Sequence, residues 1–147
     1  MKIYVLLNLL GLIMNTNYQP KITLFHCINC FNEASVLPLH GRDDVEVSVV
    51  RLACSSMIKD IVLLKAFEAG ADGVLVWVCP EGQCRYVEGN TRAKKRIQWV
   101  QNLLDEIGLD GRRLAIGTMS LQDTDLPEQA IRNVLAVVND LGPNPAA

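Results

Sequence analysis

The chain has 147 residues, half of them hydrophobic and a fifth charged, with a formal net charge of −2. That length and composition bound one globular domain with a core of its own and exclude a disordered chain. The small net charge gives no whole-chain reason to expect nucleic acid or an anionic membrane as partner.

The chain opens with "MKIYVLLNLLGLIM", one lysine followed by an apolar run. The run is too short for a bilayer span, which takes about 20 apolar residues. The "NTNYQP" that follows offers no small-x-small cleavage site for a signal peptide. Met14 stands just before that polar segment, so residues 1–19 read as an extension, with translation expected to start near Met14. A signal or anchor is the alternative. "KITLFH" (21–26) is a short apolar strand, and "VEVSVVRL" (45–52) is β-branched and reads as a second. The residues between them, holding Pro38 and Gly41, leave room for little helix.

After Ser55 and Ser56, the spacing of Ile58, Val62, Ala66 and Ala69 predicts one helical face, ended by Gly70. "GVLVWV" (73–78) is continuously apolar, as in a strand covered on both faces. A second helix follows, with Ala93, Ile97, Val100, Leu104 and Ile107 as its apolar stripe. Asn90 is its expected N-cap and Gly108 its end. "RLAIGTM" (113–119) is a weaker fourth strand. Pro127 opens a last helix carrying Ile131, Val134, Leu135, Val138 and Leu141, and Gly142 stops it. Residues 143–147 read as a frayed tail. Strands alternating with helices predict a single α/β domain over residues 20–142, doubly wound around a four-stranded, mainly parallel sheet, flavodoxin-like in arrangement.

The five cysteines are placed by this reading. Cys27 and Cys30 follow the first strand, Cys54 the second, and Cys79 and Cys84 the third. In a parallel sheet these carboxyl ends share one edge, where open α/β folds bind ligands. An odd count argues against a closed disulfide framework, and a metal site explains the convergence. Two thiolates of C-x-x-C can reach one ion from one turn; the looser C-x-x-x-x-C also occurs in plant-type iron–sulfur ligation. Four thiolates make either a structural zinc site or an iron–sulfur site. A domain with its own core has little need of a zinc staple, whereas a redox cluster wants loops on a rigid sheet, so iron–sulfur is the favoured reading. A zinc-stabilised interaction module and a dithiol oxidoreductase remain as alternatives. "CINC" after a strand has the redox C-x-x-C form, but no cis-proline candidate accompanies it and three cysteines would go unexplained.

Beyond the cysteines, "AFEAGADGVLV", the cysteine loop "CPEGQC" and "YVEGN" before a basic helix stand together. With "PKITLFHCINC" they make the chain from about Pro20 to Met119 resemble the delta subunit of methyl-viologen-reducing hydrogenase. The resemblance implies a 2Fe–2S cluster, the family's five cysteines matching Cys27, Cys30, Cys54, Cys79 and Cys84. Such a centre needs four ligands, and the sequence does not say which thiol is spare; the set read here is Cys27, Cys30, Cys79 and Cys84, with Cys54 as neighbour. It implies a cytoplasmic electron-transfer subunit of an anaerobic complex. Such a protein relays electrons between a hydrogenase, formate dehydrogenase or other donor and a flavin-containing heterodisulfide-reductase-like subunit, within electron bifurcation. Pro80–Glu81 and His26 depart from residues common in the family, which bears on potential and partner rather than on the thiols.

His26 and His40 lack the spacing to cysteines of a Rieske-type centre and read as packing or surface residues. Arg92, Lys94, Lys95 and Arg96 form a basic half-helix, either a solvated face or a docking surface for an acidic partner. Basic residues at a helix start oppose the macrodipole. Trp99 is an interface anchor or a boundary tryptophan, and Arg85 a counter-charge to the cluster or a surface residue. No G-x-G-x-x-G, G-x-x-x-x-G-K or Ser–His–Asp set is present.

Overall fold

The computed structural model describes residues 18–30, 41–120 and 126–147. The expected start at Met14, the segment 31–40 and His40 within it lie outside these residues. Strands β1 (Lys21–Cys27), β2 (Glu46–Leu52), β3 (Gly73–Val78) and β4 (Leu114–Thr118) form one sheet in the order β2-β1-β3-β4. Every pairing is parallel, so the expected mainly parallel sheet is parallel throughout. Helices α1 (Asp60–Glu68) and α2 (Gly89–Glu106) cover one face, and α3 (Leu126–Leu141) covers the other. β3 is buried along its whole length, as its unbroken apolar run requires.

Alternation along the strands sorts the core into two layers. Val74, Val76 and Val78 pack with Leu63 and Phe67 of α1 and Ala93, Ile97, Val100 and Leu104 of α2. Leu75 and Trp77 pack with Ile22, Leu24 and the Ile131, Val134 and Val138 stripe of α3. Gly117 is the register partner of Trp77, and a Cβ there would lie 2.9 Å from the indole, so the glycine makes room for the largest side chain of that layer.

Three expectations are corrected. The buried face of α1 is Leu63 and Phe67, while Val62 and Ala69 are exposed. The cause is a break in helical phase. Ser55–Met57 is a 3-10 turn, Ile58 and Lys59 are extended, and the helix starts afresh at Asp60. Asn90 is not the N-cap of α2; Glu88 occupies that position and Asn90 lies buried inside the first turn. The chain end is not frayed. Asn144 is buried, its side chain donates to the carbonyls of Phe67 and Ala71 at 2.9 and 2.8 Å, and its N–H donates to Asp72 at 2.7 Å. Asp72 also accepts from the Lys21 N–H, and the buried Arg113 donates to the carbonyls of Asp72 and Gly142. These bonds staple the amino edge of the sheet, opposite the cysteines.

Candidate metal centre

β1 and β3 are neighbours, but the next strand along the chain lies on opposite flanks of the pair. That arrangement is a topological switch point, where a crevice opens at the carboxyl ends of the strands. Cys27 is the last residue of β1 and Cys79 the first after β3. Their sulfurs lie 3.8 Å apart. A tight turn, closed by the Cys30 N–H on the Cys27 carbonyl at 3.1 Å, brings Cys30 back to them. The three sulfurs lie within 4.8 Å of one another and all three residues are buried.

The other two thiols meet on the α2 side. Cys54 caps the 3-10 turn, its sulfur accepting from the Ser56 N–H at 3.5 Å. A Cβ at Gly89 would collide with Cys54 Sγ and lie 3.1 Å from Cys84 Sγ, so both sulfurs rest against that one glycine. The five predicted site residues therefore form a buried triad, Cys27, Cys30 and Cys79, beside a pair, Cys54 and Cys84. All five are free thiols.

The charge is unevenly held. The Cys30 thiol hydrogen-bonds the Cys27 sulfur, as do the Asn29 backbone and side-chain N–H and the Cys79 thiol; against the cost of burial they pull Cys27 down to about 5. Donating to Cys27 and burial both push Cys30 up. Burial pushes Cys79 up to about 12. At Cys84 burial acts upward, but backbone N–H groups of Asn90, Tyr86 and Gly89 and the Cys54 thiol outweigh it and hold the group below its ordinary value. Burial lowers His26, whose Nδ1 sits 3.3 Å from the Cys27 carbonyl. The histidine packs at the end of β1, as expected of a packing residue.

Sulfur-rich donors at such spacing are the chemistry of soft-metal and iron–sulfur ligation. The residues fit such a group: three sulfurs converge, two more flank them, and Ser55 Oγ, buried next to Cys54, has no hydrogen-bond partner among the described residues. The basic half of α2 is largely used within the chain. Arg92 pairs with Glu88 at 3.2 Å and Lys94 with Glu81 at 3.4 Å. Arg96 donates to the carbonyls of Ser56 and Ile58 at 2.6 and 2.9 Å, holding the Cys54 turn against α2. Trp99 is 55% exposed and Arg85 is exposed.

Sequence reasoning missed Gly89, Asn90 and Asn29. Asn90 Nδ2 donates to the carbonyls of Cys79 and Pro80 at 3.0 and 2.9 Å. A glycine–asparagine pair between a cysteine loop and a helix is the available signal, and its pattern alone reads as no more than a cap.

Residues 22–142 match the family described as methyl-viologen-reducing hydrogenase, delta subunit. The chain belongs to that family. It is 38% identical over 129 residues to the iron-sulfur subunit of the vhu F420-non-reducing hydrogenase of Methanocaldococcus jannaschii, covering 86% of this chain and 96% of that protein. It is 30% identical over 132 residues to the iron-sulfur subunit of the vhc F420-non-reducing hydrogenase of Methanococcus voltae, covering 88% and 92%. A third relative has a different architecture. It is a subunit of the ferredoxin:CoB-CoM heterodisulfide reductase of Methanosarcina mazei, 35% identical over 126 residues, which are 84% of this chain but 16% of that protein. Relatives of the chain are thus subunits of hydrogenase and heterodisulfide reductase complexes, which supports an electron-transfer role.

Family membership also corrects the expectation of a 2Fe–2S cluster. The hydrogenase relatives are named only as iron-sulfur subunits, a description that does not carry the 2Fe–2S type. The physical source of the error is that four thiolates ligate 2Fe–2S and 4Fe–4S clusters alike, so a count of cysteines does not choose between them. Among the described residues no helix is long and apolar enough to cross a membrane.

Proposed function

We propose that this chain is a cytoplasmic iron–sulfur electron-relay subunit, standing between a hydrogenase or other electron donor and a heterodisulfide-reductase-like flavoprotein in an electron-bifurcating complex. The observation that carries the reading is the triad: Cys27, Cys30 and Cys79 converge at the switch point of a rigid parallel sheet. Cys84 serves as the fourth ligand, because backbone N–H groups favour its thiolate and its loop starts from Cys79. Cys54 is the neighbour. An iron–sulfur cluster held there would accept and release single electrons. The chain supplies the thiolates, buries them and fixes their spacing. Cys30 and Cys79 must give up their protons to serve, so loading the site releases protons.

The rim above these sulfurs suits a partner. Ile28, Met57, Tyr86 and Val87 are exposed apolar side chains on the loops that carry the cysteines. Val87 is 80% exposed and holds a φ of 65°, a costly conformation for a β-branched residue. The fused heterodisulfide reductase relative supports a partner of that class, since there the matching segment is part of the same chain.

The ligand set is tested by single substitutions of the full chain purified without oxygen. Cys79→Ser and Cys84→Ser should lose iron and sulfide while keeping the far-ultraviolet circular dichroism of the folded sheet. Cys54→Ser should keep both. Full iron with a native electron paramagnetic resonance (EPR) signal in Cys79→Ser or Cys84→Ser contradicts the assignment.

A further inference from the structure

Gly89 and Asn90 begin α2, yet both are buried, Gly89 against two of the thiols and Asn90 against the loop that joins Cys79 to Cys84. Gly89 leaves the space that Cys54 Sγ and Cys84 Sγ occupy; any Cβ there would drive into one and crowd the other. Asn90 spends its two amide donor bonds on the Cys79 and Pro80 carbonyls, and its Oδ1 accepts from the Thr91 N–H at 2.8 Å. One side chain thus ties the loop leaving β3 to the first turn of an 18-residue helix. Glu88, at the cap position, makes no side-chain capping bond, so the helix start is free to point its amides elsewhere. That start lies against Cys84, whose sulfur is 3.1 Å from where a Gly89 Cβ would stand, and the backbone N–H groups of Tyr86, Gly89 and Asn90 favour its thiolate.

We infer that Gly89 and Asn90 are the positioning residues of the metal centre. Gly89 sets the distance between α2 and the Cys54–Cys84 pair. Asn90 holds Cys79 and Cys84 in one register, so that the positive end of α2 acts on the sulfur of Cys84. Hydrogen bonds to ligand sulfurs are a recognised control of cluster potential, raising it by stabilising the reduced, more negative state. The inference rests on the cluster reading above and deepens it by assigning the residues that tune the cluster.

The experiment uses the full chain purified without oxygen, as wild type, Gly89→Ala, Asn90→Ala, Asn90→Asp and Gly108→Ala. Asn90→Asp keeps an acceptor for the Thr91 N–H but loses the bonds to Cys79 and Pro80, which separates helix capping from loop tethering. Gly108, with φ +81° and nothing near its missing Cβ, lies at the far end of α2 and serves as a control for helix strain alone. Iron and sulfide content, midpoint potential, EPR g-values and thermal melting are read for each.

Loss of an outer partner commonly costs about 10–100-fold in metal affinity, and Gly89→Ala should retain its iron correspondingly poorly under chelator challenge. Both Asn90 variants should show a lowered midpoint potential and altered g-values at full iron content. Gly108→Ala should melt earlier with potential and g-values unmoved. Unchanged potential and g-values in both Asn90 variants, or wild-type iron retention in Gly89→Ala, would overturn the inference. A wild-type chain without iron after reconstitution overturns the cluster reading itself, which the variants do not need to test.

Discussion

At the scale of single residues the site is a set of unequal thiols. Cys27 is the anion of the triad because Cys30, Asn29 and Cys79 all donate to it, and Cys79 stays protonated because burial opposes its charge. The consequence for stability has a definite sign. In the metal-free chain Cys27 falls from 9.0 unfolded to about 5 folded, so between these values the unfolded state binds more protons. Stability from this group is present above pH 9 and is lost as pH falls toward 5. Cys84, also lowered, acts in the same direction, and so does the lowered His26 below its ordinary value of 6.5. The raised Cys30 and Cys79 stay protonated in both states over this window. The melting temperature of the metal-free chain, kept reduced, should therefore be higher at about pH 8 than at about pH 6, measured by circular dichroism. A melting temperature that falls over that range contradicts the thiolate assignment.

At the scale of elements, what was legible in the sequence was whatever one periodicity fixed. β3 and the stripe Ala93, Ile97, Val100 and Leu104 are long, unbroken patterns and are buried as read, whereas Ile107, the last residue expected in that stripe, lies past the end of α2 and is exposed. α1 failed because its pattern spans a change of backbone state at Ile58–Lys59, and a 3-10 turn shifts the phase of every later position. Asn90 failed because an asparagine before an apolar run has the same sequence signature as a cap or as a buried tether; only the loop's position beside it decides. The end of the chain failed for a similar reason. Asn144 looks like a tail residue, and its partners at Phe67, Ala71 and Asp72 are more than 70 residues away along the chain. Asn144→Ala keeps the backbone N–H on Asp72 but removes the side-chain donors, and leaving the Phe67 and Ala71 carbonyls short of them costs about 1–3 kcal/mol. Asn144→Ala should lower unfolding free energy by that amount in urea titration and leave iron content unchanged, because the staple sits at the opposite edge from the thiols. An unaltered denaturation midpoint would show that the tail does not bear on stability.

At the scale of the whole molecule, one sheet edge gathers the thiols and the other is stapled by the chain end. Strand order alone brings Cys27 and Cys79 together, since the switch point falls between the strands that end in them. The convergence of five thiols on one rim was legible in the sequence. Their partition into a triad and a pair was not, because it depends on Gly89 standing between Cys54 and Cys84. Nor was the cluster type, because thiolate count is common to both types. The charged half of α2, with its docking and solvated readings, spends Arg92, Lys94 and Arg96 on neighbours within the chain. The exposed apolar rim of Ile28, Met57, Tyr86 and Val87 is the better candidate for partner contact.

The central claim is that these thiols hold a redox-active iron–sulfur cluster. Its most direct test is iron, acid-labile sulfide and zinc analysis of the full chain purified without oxygen, with a visible spectrum before and after dithionite. Iron and sulfide are expected in equal amounts, with visible bands that bleach on reduction. Zinc in a colourless protein whose spectrum dithionite leaves unchanged would contradict it and favour a structural module.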